Sequence, residues 1–113
     1  MDQIIFACSG AADVGEIADL AARRLAREGA GKMHCITAVG AGVDSFMKWY
    51  RQSNDPILAI DGCALACASN CLKQAGLNVS RSVSLDALGF KKGETPVTEY
   101  RVARVVAKAM EST

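Results

Sequence analysis

Short apolar runs alternate with segments of helical periodicity along the chain, and this alternation constrains the fold more than any other feature. Four runs have the length and residue types of buried or half-buried strands. They are Ile4–Ala7, Met33–Val39, Ile57–Ile60 and Val79–Leu85. The last run alternates apolar residues with serines, which is typical of a less buried edge strand.

A segment with helical features follows each strand candidate. Apolar residues recur at helical spacing between Asp13 and Glu28, and polar or charged residues occupy the other positions. The predicted helices are Asp13–Glu28, closed by Gly29; a short helix capped by Asp44 and running to Tyr50 or Arg51; a helix from Cys63 to about Gly76; and a last helix with Thr95 as its N-cap and Pro96 in its first turn.

Strands and helices in strict alternation favour a parallel sheet that is covered by helices on both faces. Right-handed crossovers then make a doubly wound sheet the leading topology. The sequence therefore predicts one domain over residues 1–113: a three-layer α/β fold of the Rossmann/flavodoxin-like kind, with a mostly parallel four-stranded sheet in the order 2-1-3-4.

Charge and hydropathy exclude several classes of function. The 13 Lys and Arg residues nearly balance the 12 Asp and Glu residues, and the two signs are interspersed, so a nucleic-acid-binding surface is not expected. The first apolar run is too short for a signal-peptide core or a membrane span. We therefore expect a soluble, cytoplasmic protein that binds neither nucleic acid nor a membrane. The sequence does not identify its protein or small-molecule partner.

Five cysteines in a reducing compartment indicate metal or thiol chemistry rather than disulfides. Ligands of doubly wound sheets bind at the carboxyl ends of the strands where the strand order reverses, here between the first and third strands. Cys8 ends the first strand and Cys63 follows the third, so the topology brings both to one edge. Cys67 follows Cys63 by four residues on the predicted helix, where the two side chains share a face about 6 Å apart. These cysteines could chelate one metal ion.

Each of these residues also has a simpler interpretation. Cys67 and Cys71 belong to a stripe of small residues that could face the sheet as core residues. For Cys35, which lies inside its predicted strand, the pattern leaves core and ligand equally open. Its neighbour His34 would point to the opposite face of a strand, and we interpret it as a surface or packing residue. Asp61 is interpreted as a helix cap in preference to an outer partner of a metal ligand.

Two motifs and one isolated cysteine resemble a known family. They are CSGAADVGE from Cys8, the single Cys35 after the first helix, and AIDGCALACA from Ala59 to Ala68. Together they resemble the Asp-Gly-Cys (DGC) domain family of zinc-binding proteins, and the resemblance covers nearly the whole chain. It implies a zinc site formed by four recurring cysteines, which correspond here to Cys8, Cys35, Cys63 and Cys67. Cys71 matches no such position.

The resemblance implies no reaction, and whether the protein is an enzyme stays open. A thiol-dependent enzyme or an iron–sulfur protein could use the same cysteines. Cys8, between a strand and a helix, is similar to the nucleophile of cysteine phosphatases. Those loops carry an arginine six residues after the cysteine, where this chain has Val14, so phosphatase chemistry is not expected.

Overall fold

The computed structural model describes residues 3–111, and its sheet has the predicted topology. Four parallel strands lie in the order β2-β1-β3-β4. The strands are β1 (Ile4–Ala7), β2 (Lys32–Met33), β3 (Ile57–Asp61) and β4 (Arg81–Ser84). The helices are α1 (Asp13–Arg27), α2 (Ile36–Gly40), α3 (Asp44–Gln52), α4 (Cys67–Gln74) and α5 (Glu99–Met110). The three-layer α/β fold, the strand order 2-1-3-4 and the edge position of the last strand are thus confirmed.

Helices cover both faces of the sheet. On β1, Ile5 and Ala7 pack with α1 and α5, whereas Ile4 and Phe6 pack with α2, α3 and α4. Every residue of β1 and β3 is buried. These central strands therefore hold the loops that follow them in fixed positions at the carboxyl edge of the sheet. None of the helices within residues 3–111 combines the length and apolar character needed to cross a membrane.

The predicted second strand, Met33–Val39, is wrong beyond its first residue. The chain pairs with β1 only at Lys32 and Met33, and α2 begins at Ile36. The parallel register places Ile5 opposite Met33, and β1 ends two residues later at Ala7. A longer edge strand would soon have unpaired backbone groups, whereas a helix satisfies those groups internally.

The helix predicted from Cys63 begins instead at Cys67. Residues 62–66 form turns, and Ala66 before the helix has a left-handed backbone with a φ of 51°. The carboxylate of Asp61 accepts hydrogen bonds from the backbone N–H and the hydroxyl of Ser69, the third residue of α4. These two hydrogen bonds hold the start of α4 beside the end of β3. Residues 62–66 therefore form the loop that connects the two elements and do not extend the helix.

The starts of two other helices also differ from prediction. Asp44 is the first residue of α3, and Val43 occupies the N-cap position. The last helix begins at Glu99, and Thr98, not Thr95, is its N-cap: the Thr98 hydroxyl accepts from the backbone N–H of Arg101. The buried Thr95 is engaged elsewhere, since its hydroxyl donates to the carbonyl of Lys91.

Asp13 ties the start of α1 to the loop after β4. Its Oδ1 accepts from the N–H groups of Val14 at 2.8 Å and Gly93 at 2.9 Å, and its Oδ2 accepts from the N–H of Thr95 at 3.0 Å. The hydrogen bonds from Gly93 and Thr95 lower the pKa of Asp13 below its ordinary value of 3.8. A carboxyl group whose pKa is lowered by folding stabilises the folded state at pH values above the pKa that the group has in the unfolded chain. This contribution is lost as the pH falls through the pKa of the folded state.

We therefore expect Asp13→Asn to be less stable than the wild type near neutral pH, with a difference that shrinks on acidification. Urea unfolding across a pH series from about 7 to 3 measures this difference. Glu16→Gln is the control, because Glu16 is an exposed carboxylate in the same helical turn with no side-chain hydrogen bond among residues 3–111. A stability difference for Asp13→Asn that stays constant with pH would contradict the prediction.

Candidate functional site

The loops after β1 and β3 meet at the carboxyl edge of the sheet. Cys8 follows β1, and a Cβ built on Gly62, just after β3, would lie 3.1 Å from the Cys8 sulfur. Gly62 also lies so close to α1 that the same Cβ would be 2.9 Å from the carbonyl oxygen of Val14. Cys8 and Cys63 are both partly buried against the core formed with α1 and α5. The structure thus places Cys8 beside the segment that carries Cys63, as the topology predicts.

Both loops contain a residue in the left-handed region of backbone conformation. Ser9 has a φ of 49° and Ala66 a φ of 51°, and among residues 3–111 no other non-glycine residue has a positive φ. Such conformations cost about 1–3 kcal/mol and are concentrated at functional sites. Ser9 is held by its hydroxyl, which donates to Asp19 Oδ1 at 2.7 Å. The strain favours a functional role for this edge.

Asp61 is not the N-cap residue expected from the sequence, because Ala66 occupies that position; from the end of β3, however, the Asp61 carboxylate accepts hydrogen bonds from the first turn of α4. It is only 3% exposed, and Oδ1 accepts from the Ser69 N–H at 3.1 Å while Oδ2 accepts from the Ser69 hydroxyl. The aspartate of the Asp-Gly-Cys motif therefore positions the start of α4. Cys67, the first residue of that helix, is positioned with it.

Cys35 lies at a helix start instead of inside a strand. It is exposed and occupies the N-cap position of α2. Its side chain makes no cap hydrogen bond there. The nearby backbone N–H groups of Ala38 and, to a smaller extent, Thr37 lower the pKa of Cys35. This position favours the thiolate, the form that binds metals and attacks electrophiles.

An aromatic cluster next to Cys35 could not be found by sequence reasoning. His34 Nδ1 lies 2.8 Å from the Tyr50 hydroxyl, and the imidazole stacks on Trp49 with ring centroids 5.4 Å apart. Partial burial, and to a lesser extent the charge of Lys32, lower the pKa of His34. His34 is thus a packing residue, as interpreted. The Trp49-Tyr50 pair is visible in the sequence, but no spacing rule connects it with His34.

Cys67 and Cys71, and not Cys63 and Cys67, are the pair on one face of a helix, because Cys63 lies in the turn before α4. Cys67 is exposed, whereas Cys71 is partly buried. A Cβ built on Gly40, the last residue of α2, would lie 3.6 Å from the Cys71 sulfur. Cys71 therefore fills space between α2 and α4, and Cys67 lies one turn, about 6 Å, closer to the carboxyl edge.

The four predicted ligands reach the same edge by different routes. Cys8 and Cys63 follow β1 and β3, whereas Cys35 and Cys67 begin α2 and α4. All five cysteines are free thiols. Within residues 3–111, however, no three His, Cys, Asp or Glu side chains are already grouped as ligands of one ion. The fold brings the cysteines to one edge without assembling a coordination sphere, and the ligand set stays a prediction.

Comparison with known proteins identifies the family. Residues 4–109 match the DGC domain. The chain is also 37% identical, over 89 residues, to the anaerobic and virulence modulator AnvM of Pseudomonas aeruginosa, and the similar stretch covers 79% of this chain and 67% of AnvM. No solved structure matches the chain. From the match over nearly its whole length, the chain belongs to the DGC domain family.

Proposed function

We propose that this chain is a zinc-binding protein whose metal is held by the thiolates of Cys8, Cys35, Cys63 and Cys67 at the carboxyl edge of the sheet. The observation that carries the proposal is the position of these residues. Each stands where the chain leaves a strand or begins a helix at this one edge. Four sulfur ligands suit zinc, which prefers tetrahedral coordination by thiolate and imidazole groups.

The residues present fit such an ion. Cys8 already lies against Gly62, next to Cys63. Cys35 and Cys67 are exposed, so their side chains are free to turn toward a shared ion. Zinc binding would then require only movements of these side chains and of the turn at residues 62–66, and the buried sheet would stay unchanged. A site with four thiolates would be closed, whereas three thiolates would leave a position for water.

A cytoplasmic location belongs to the same proposal. Thiolates can ligate a metal only while they are reduced, and the cytoplasm keeps thiols reduced. AnvM is described as an anaerobic and virulence modulator, and a regulatory role for this chain is part of the same proposal.

We expect protein purified under reducing conditions from zinc-containing medium to carry about one zinc per chain. Cys63→Ser and Cys67→Ser should each weaken zinc binding at least about tenfold, since even changes to outer partners of a ligand cost that much. Elemental analysis, thiol counting and competition against a chelator provide the measurements.

Cys71→Ser is the matched control, because it makes the same substitution on α4 at a sulfur that packs against Gly40. It should leave zinc binding nearly unchanged. A Cys71 variant that loses metal while Cys63→Ser keeps it would overturn the ligand set. Iron with visible absorbance would identify an iron–sulfur protein, and metal-free protein with reactive thiols would favour a thiol-dependent enzyme.

A further inference from the structure

A cavity of about 580 Å³ lies between α1 and the segment that leads from β2 into α2. This volume is within the roughly 300–1,000 Å³ typical of small-molecule sites. Cys35 and Thr37 line it from the α2 side, and Arg23 and Arg27 line it from α1. Ser9, from the loop that carries Cys8, also lines the cavity. A thiol, two hydroxyls and two guanidinium groups therefore share one cavity.

The charges of this cavity favour an anion. Asp19 also lines it, but its carboxylate is already satisfied by Arg23 Nε at 2.7 Å and by the Ser9 hydroxyl at 2.7 Å. Arg27, one turn further along α1, has no carboxylate within salt-bridge distance among residues 3–111. Its guanidinium is thus available for a ligand, and guanidinium groups bind carboxylates in a bidentate manner.

We propose that this cavity binds a low-molecular-weight disulfide that carries carboxylate groups, and that Cys35 exchanges with it to form a mixed disulfide. The Cys35 thiolate attacks one sulfur of the ligand and forms a new S–S bond. The S–S bond of the ligand breaks, and its second sulfur leaves as a thiolate that takes up a proton. Cys35 is oxidised and the leaving sulfur is reduced, so no further oxidant is needed.

This proposal goes beyond the zinc site but uses one of its predicted ligands. Formation of the mixed disulfide would make the Cys35 sulfur unavailable to the metal. The low-molecular-weight disulfide would therefore weaken zinc binding. The exchange itself requires only the cavity and the thiol.

The test compares two disulfides: glutathione disulfide, which carries carboxylates, and bis(2-hydroxyethyl) disulfide, which is neutral. Each is added to the reduced protein, both as purified and after a chelator has removed the zinc. Intact mass and peptide mapping give the rate and the position of modification. In zinc-free protein we expect glutathione disulfide to modify Cys35 faster than Cys67, which is also exposed but does not line the cavity. Arg27→Gln should slow this reaction severalfold to about tenfold, without slowing the reaction with the neutral disulfide.

Arg24→Gln is the matched control, since it removes the same charge from the same helix at a residue that lies outside the cavity lining and pairs with Glu28 and Glu99. Equal slowing in both arginine variants would show only a general effect of net charge and overturn the proposal. Failure of zinc-free protein to react at Cys35 would also overturn it and leave the zinc proposal intact. Zinc content is measured on the same samples, so protein that reacts at Cys35 but never carries zinc would overturn the zinc proposal alone.

Discussion

Asp61→Ala should lower the free energy of unfolding by about 3 kcal/mol. The substitution leaves the backbone N–H and the hydroxyl of Ser69 without their acceptor, and Ser69 is only 7% exposed. Each unsatisfied buried polar group costs about 1–3 kcal/mol. Removing the charge from a buried position recovers part of that cost, so the net effect falls below the sum. Urea unfolding at neutral pH, followed by far-ultraviolet circular dichroism, measures the loss.

Ser69→Ala separates the two hydrogen bonds of this cap. It keeps the backbone N–H that donates to Asp61 Oδ1 and leaves only the buried Oδ2 without its donor, so we expect a smaller loss of about 2 kcal/mol. If Asp61→Ala cost less than Ser69→Ala, the carboxylate would not be what holds the start of α4. Because Cys67 begins that helix, we also expect Asp61→Ala to weaken zinc binding without removing a ligand.

Gly15→Ala should destabilise the protein by about 2 kcal/mol although alanine is the better helix former. Alanine gains about 1 kcal/mol over glycine in a helix interior. Its Cβ, however, would lie 2.6 Å from the carbonyl oxygen and 2.8 Å from the nitrogen of Gly10, which are backbone atoms that cannot rotate away. Overpacking of this kind costs about 1–3 kcal/mol or more, and here we expect it to exceed the helix gain. The same urea titration measures the change.

Gly10→Ala tests the other side of the same contact. A Cβ built on Gly10 meets nothing within 4 Å, so we expect a change within about 0.5 kcal/mol. The clash at Gly15 would also displace the loop that carries Cys8, and zinc affinity should therefore fall in Gly15→Ala and not in Gly10→Ala. An unchanged or increased stability of Gly15→Ala would show that this loop moves away at little cost.

Local patterns were sufficient where an element's own residues decide its structure. Apolar runs and helical periodicity predicted β1, α1 and β3 to within one residue of their observed bounds, because burial against the sheet follows that periodicity. The strand order followed from the alternation of elements and the handedness of crossovers. The meeting of Cys8 with the segment after β3 followed from the same topology.

The predicted bounds of a strand or helix were wrong where contacts with another element decide where it begins or ends. Residues 34–39 look like a strand, but β1 ends at Ala7, which this register would place opposite Cys35, so most of the predicted strand would have no partner. The start of α4 depends on the bond between Asp61 and Ser69, and the backbone N–H of Thr95 is bound by Asp13 across 82 residues of sequence. Neither contact follows from a capping pattern or from helical periodicity, so capping rules alone placed both helix starts too early.

By itself the sequence determined the α/β class, the strand order and the edge at which Cys8 meets the segment that carries Cys63, because these follow from hydrophobic periodicity and chain connectivity. Only the tertiary structure placed Cys35 at the start of a helix and in a cavity with Arg27, and Cys71 against Gly40. Those placements depend on how separate elements pack and where each one stops, and such contacts leave no periodic signal along the chain.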